Sequence, residues 1–221
     1  MSAAGQATVA AAAASAVADA RGIALGYEPP ADRGGDGRLW LPVGGSHRVV
    51  ADRARAARLR EAVLDLMPEP GVRLVVLGAE VAGLTPAART ALRARIALLP
   101  AGGGLISHFN AWENIVLPLG FHHPERLHGI AERVLGLLAA LGTEPRALLA
   151  KLPEEMTAYE KGAAACVRIV LEAPELVLAE DRSGSLEAVS ARARPAADFA
   201  AAYLAACAGG TFIQLDNAPG F

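Results

Sequence analysis

The sequence predicts an α/β core carrying an α-helical subdomain, and three observations carry that expectation. Short apolar runs bounded by glycine and proline stand toward both ends of the chain, as strands do. Between them, residues 110–170 keep helical periodicity, broken only at Pro118, Pro124, Pro145 and Pro153. A length of 221 residues suits one α/β domain with a small subdomain and allows a full core to be buried.

Each element follows from its own residues. An Ala-rich segment over 1–20 reads as a tail, since it has neither the basic start nor the strong apolar run of a signal peptide. Gly22 to Tyr27 reads as a strand, followed by a Pro/Gly/Asp loop over Glu28 to Arg38. A second strand is expected over Leu39 to Val43, and the Gly44-Gly45 turn leads into Val49-Val50. Asp52 to Leu66 is periodic, with Leu59, Val63 and Leu66 on one face, and Pro68 and Pro70-Gly71 stop it. Leu74 to Leu77 is a strand, and Thr85-Pro86 opens a helix through Ala94 as an N-cap followed by proline. Ile96 to Leu99, Leu176 to Leu178 and Thr211 to Leu215 are core strands, the last two separated by a helix over Pro195 to Ala206.

Composition narrows the function classes. A net charge of −2 without a large basic block gives no electrostatic reason to expect nucleic acid as a partner. Cys166 and Cys207 lie far apart with no CxxC, so they read as small buried residues in a reducing compartment. No strongly apolar run reaches the length needed to span a bilayer. His122, His123 and His128 allow a metal site, but they read rather as an exposed polar turn.

An ordered series of motifs gives a sharper indication. Glu113-Asn114 through Pro118-Leu119, placed after Gly103-Gly104-Leu105, resembles the ENV-x-x-PL segment that follows the glutamine loop of ABC transporter ATPases. Leu152 to Lys161 lies where that family has its LSGGQ signature, and Arg168 to Leu178 matches the run after it. Ala179 to Glu187 falls on the family's L-D-E-P-T-S-G-L-D segment, while Tyr27, Pro70-Gly71 and Val76 to Gly78 match upstream landmarks. The resemblance covers residues 20 to 217 and is nearest to the ATPases of lipid-trafficking systems that work with MCE proteins (Mla-type). It implies a P-loop NTPase-type domain over 21–221 with its helical subdomain at about 105–170. ATP and magnesium are the cofactors it implies. Its partners would be a dimer partner of the same type, identical or different, and an integral-membrane permease, in a cytoplasmic setting at the inner membrane. Permease contacts would lie around Phe109 to Phe121. Against the family pattern the chain is short after the switch position, where a further strand and helices are expected.

The residues that do the chemistry in the family are mostly replaced. A triphosphate needs a glycine-rich turn of backbone N–H groups, a lysine and a Ser/Thr hydroxyl. The corresponding window, Ala51 to Arg58, has no glycine and no lysine. Arg53, Arg55 and Arg58 would meet phosphate only by charge, and the stretch reads rather as a solvated helix face. Ala101 stands at the glutamine position, and Thr157, Ala158 and Tyr159 stand where the signature has serine and two glycines, so that a tyrosine ring is expected to crowd a phosphate. Glu180 and Asp181 exchange the usual Asp-Glu pair, which binds magnesium and polarises water, and here reads as a relic. The switch histidine would fall near Asp216-Asn217. The nucleotide-contact candidates are therefore Tyr27, Arg55, Arg58 and Thr157, with Glu180 and Asp181 as the catalytic pair and Glu180 as metal ligand. Three readings stand: a degenerate ATP-binding subunit docked on a permease, an active ATPase with an atypical site, and an interaction module outside transport.

Overall fold

A computed structural model describes residues 22–30, 37–181 and 195–217. Strand β1 (Ile23–Glu28) pairs antiparallel with β2 (Leu39–Pro42) on one side and β4 (Arg73–Val76) on the other, and β5 (Ala79–Glu80) extends the sheet beyond β4. Gly26 is needed in β1 because the Trp40 ring of β2 lies across it; a Cβ there would fall 2.3 Å from the ring.

The second sheet is parallel. It has the order β3–β8–β7–β6, built from β3 (Gly45–Ala51), β6 (Ile96–Leu99), β7 (Leu176–Asp181) and β8 (Thr211–Asn217). Helix α1 (Arg53–Asp65) follows β3, α2 (Pro86–Arg93) precedes β6, and α7 (Pro195–Ala206) joins β7 to β8. Parallel neighbours require such crossovers, which place helices on both faces.

Side-chain alternation splits the core in two. Leu176 and Leu178 of β7 with Ile213 and Leu215 of β8 point to the core shared with α1 and the antiparallel sheet. Val177, Ala179 and Phe212 point the other way, into the core built by the helices.

The stretch between β6 and β7 is the helical insertion anticipated from the sequence. It holds α3 (Ala111–His122), α4 (Ile130–Ala140), α5 (Pro145–Ala150) and α6 (Ala158–Glu172). Helix α3 starts with a capping box: Asn110 Oδ1 accepts from the Glu113 amide at 2.9 Å and Glu113 Oε2 accepts from the Asn110 amide at 2.8 Å. Thr85 caps α2 as its sequence predicts, accepting from the Ala88 amide at 3.3 Å with Pro86 next in line. Residues 1–21, 31–36, 182–194 and those beyond Asn217 fall outside the described part.

Candidate functional site

In open parallel sheets, ligands bind beyond the carboxyl ends of the strands. Here that edge is formed where β3, β8, β7 and β6 end, with Ala51 beside Asn217, Asp181 beside Asp216, and Leu99 beside Ala179. Among the described side chains, Glu180 and Asp216 at this edge are each paired with an arginine.

The join between β3 and α1 decides what the first loop can do. Strand β3 ends at Ala51 and α1 begins at Arg53, so Asp52 alone separates them. The Ala51 to Arg58 window therefore contains a strand end, a cap and the first six residues of a helix, and no loop that could wrap a phosphate chain. Asp52 Oδ1 accepts from the Arg55 amide at 2.9 Å. That backbone bond, with Arg58 and Arg55 nearby, holds the Asp52 carboxyl below the ordinary aspartate value. A carboxylate of the chain itself thus sits where a helix N-terminus would receive an anion.

A second pair closes the end of β7. Glu180 projects to the α1 side, and Arg60 Nη1 donates to its Oε1 at 2.9 Å, with side-chain exposures of 21% for Arg60 and 12% for Glu180. Arg60 Nη2 also reaches Glu61 Oε1 at 3.1 Å, while its Nε is buried without a partner. The carboxylate expected from the sequence resemblance to hold magnesium is thus engaged by a guanidinium. Asp181 pairs through its backbone with Asp216, and its side chain lies outside the described part. At the switch position, Asp216 is 7% exposed, paired with the Arg48 guanidinium of β3 and accepting from Gln214 Nε2 at 2.8 Å.

The signature position is likewise satisfied from within. Thr157 caps α6, accepting from the Glu160 amide at 3.2 Å, and Glu160 accepts in return from the Thr157 amide at 2.8 Å and from Lys151 Nζ at 2.6 Å. Desolvation raises the Glu160 pKa, but these donors outweigh it and leave the carboxyl below its ordinary value. Tyr159 corrects one expectation. Instead of projecting outward to crowd a phosphate, its hydroxyl donates to the Leu141 carbonyl at 2.5 Å and its ring stacks on Phe199 at 5.4 Å.

Of the residues named from sequence, Arg55 and Arg58 both lie on α1, Arg55 half-buried and Arg58 exposed, in the helix whose Arg60 binds Glu180. Tyr27 is 8% exposed and packed in the core beside α1, so little of its ring is open to a base. Thr157 belongs to the helical insertion. Ala101 opens a turn in which Gly102, Gly103 and Gly104 all have positive φ. Glycine is required at Gly103, where a Cβ would fall 2.6 Å from the Lys161 carbonyl oxygen. Arg168 of α6 ties this turn down by donating to the Gly103 and Gly104 carbonyls at 3.1 and 3.2 Å.

Sequence reasoning missed Arg60, although a signal existed. Ala56, four residues before it, and Val63, three after it, are both buried, which puts Arg60 against the buried face of α1. It also missed what Asn114 does. That side chain is 1% exposed; its Oδ1 accepts from the Ile106 amide at 2.7 Å and its Nδ2 donates to the carbonyls of Ile106, Phe109 and Asn110 at 2.9–3.1 Å. The loop so fixed presents Phe109 at one side of an apolar groove of about 300 Å3, lined also by Val116, Leu117, Phe121 and Leu127. Phe121 is 78% exposed. Among the described residues, no helix is long and apolar enough to cross a membrane, and no group of three or more His, Cys, Asp or Glu side chains is placed to hold a metal.

No model of a known protein family matches the chain. Curated relatives do. A lipoprotein-releasing system ATP-binding protein LolD from Roseobacter denitrificans is 34% identical over 116 residues, covering 52% of this chain and 50% of that protein. The LolD of Nitrobacter winogradskyi is 28% identical over 152 residues, 68% of this chain and 64% of that one. The chain spans about half the length of most of the curated relatives it matches. Among solved structures, cbiO1 of Clostridium perfringens, part of the ABC transporter complex cbiONQ, superposes with a TM-score of 0.67 at 14% identity, over 89% of this chain and 79% of that one. The dimeric bacterial ABC transporter cassette MJ0796 gives 0.62 at 16% identity over 88% of each chain. The fold of this chain is that of the ABC transporter ATP-binding cassettes, and about half of its sequence is similar to the LolD proteins.

Proposed function

We propose that the chain is a degenerate ABC transporter ATP-binding subunit that docks on a membrane permease and hydrolyses ATP weakly or not at all. The observation that carries this reading is the join of β3 to α1 through Asp52 alone, with the cap bonded to its own helix. Three phosphates need several convergent backbone N–H groups, and a one-residue join has no room to aim them. The Arg60–Glu180 pair supports the same reading, because a magnesium ion at Glu180 would have to displace a guanidinium.

The docking half of the proposal rests on the apolar groove beside Phe109 and Phe121, the segment where the family resemblance places the permease contact. An amphipathic helix of the permease is the occupant that suits it. The protein would then sit in the cytoplasm, peripheral on the inner membrane, paired with an identical or a competent ATPase. Because the curated relatives belong to lipoprotein-releasing systems, the proposed cargo carries a lipid. The resemblance to MCE-associated ATPases points the same way.

A second reading, an active ATPase with an atypical site, draws on the survival of Glu180 at the end of β7, with Asp181 next to it in sequence. One experiment separates the two: affinity capture from solubilised membranes, followed by an ATPase assay on the complex. The proposal expects a permease to co-purify, and hydrolysis to vanish unless a second, competent ATPase is present. Hydrolysis by a complex containing only this subunit would support the active reading, and recovery of the chain alone would leave an interaction module outside transport.

A further inference from the structure

A cleft of about 740 Å3 opens at the other end of the parallel sheet, where β6 begins and where α1 and α6 end. Helix α2 lines one side with Arg89, Thr90 and Arg93, and the end of α3 lines another with Leu119, His122 and His123. Leu64 and Ile96 add apolar surface.

Arg89 stands apart from the other arginines of the molecule. The half-buried arginines Arg60, Arg73, Arg126 and Arg168 donate to carboxylates or carbonyls, and Arg55 also has a partner. Among the described residues, Arg89 is the half-buried arginine whose guanidinium makes no hydrogen bond or ion pair. A partly desolvated charge without a partner is costly to keep. Arg93, four residues on and so on the same side of α2, donates one N–H to the Ile96 carbonyl at 3.0 Å and has four more. Asp65 and Glu172 also line the cleft, and neither is paired with Arg89. Loss of solvation pushes the Glu172 carboxyl up, with Arg168 and His122 pulling it down, so it holds its charge less firmly than a free carboxylate.

We propose that this cleft binds an organic phosphate, with its phosphoryl oxygens on Arg89 and Arg93 and its carbon skeleton against Leu64 and Pro118. Two guanidinium forks suit a dianion better than a single carboxylate, and the volume lies within the ordinary range for small-ligand pockets. The phosphate is either that of a free ester or that of a phospholipid headgroup.

The test is calorimetric titration of the full chain with glycerol phosphate, together with sedimentation on phosphatidylcholine vesicles with and without phosphatidic acid. Saturable binding to at least one probe is expected, weakened about tenfold by Arg89→Gln. That substitution breaks no bond within the fold, and an unchanged unfolding midpoint would verify this. Arg146→Gln, which removes the same charge from the exposed surface of α5, should leave binding intact. Binding to the ester alone assigns a soluble ligand, and binding to vesicles alone assigns a headgroup. Binding to neither probe, or equal weakening by both substitutions, overturns the proposal.

Discussion

The carboxyl edge of the parallel sheet and the outer face of the helical insertion have opposite characters. At the sheet edge, Asp52, Glu180 and Asp216 are each bonded by a group of the chain itself, Arg60, Arg48 and Gln214 among them. On the insertion, Phe121 is 78% exposed beside a groove of about 300 Å3. Polar groups left over when a ligand site decays must find partners or be replaced, since unpaired buried charge is expensive. Apolar groups on a docking surface carry no such penalty, and they persist exposed. On the proposed reading, the difference teaches where function remains: at the surface that is not satisfied from within.

The largest expected effect sharpens the insertion side. Asn114→Ala removes four hydrogen bonds from a buried amide and leaves the Ile106 and Phe109 carbonyls in search of partners. It should cost about 3 kcal/mol in denaturant unfolding and abolish permease capture by releasing Phe109. Capture that survives the substitution would separate the groove from docking.

The next tests the sheet edge. Arg60→Leu takes the guanidinium away from Glu180, which is 12% exposed, and should destabilise by about 1–3 kcal/mol, while the Arg60→Leu/Glu180→Leu double substitution should recover part of the loss. If the single substitution is silent, the pair does not close the site. The smallest effect lies at the end of α6. Ala173 caps that helix at φ 54°, so Ala173→Gly should stabilise by about 0.5–1 kcal/mol in the same unfolding measurement.

Much of this was legible in the sequence. The Thr85-Pro86 cap, the core strands and the helical insertion follow from local signals that tertiary packing did not override. The closure of the site was less legible, for a physical reason. The window of Ala51 to Arg58 can be picked out from the sequence, but only the pairing of β3 with β8 puts Ala51 in a strand and leaves Asp52 alone before the helix. Arg60 meets Glu180 across 120 residues of chain, a contact that no single-sequence period encodes. Asn114 was visible as part of a motif, while its four bonds depend on how the loop of 106–110 folds over it. The inward turn of Tyr159 depends in the same way on Phe199, 40 residues later.

The central claim, that this edge no longer seats a triphosphate, is tested most directly by titrating the full chain with a fluorescent ATP analogue in the presence of magnesium. The account predicts no saturable binding up to about millimolar nucleotide. Binding in the micromolar range that is lost in Arg55→Ala or Glu180→Gln would contradict it.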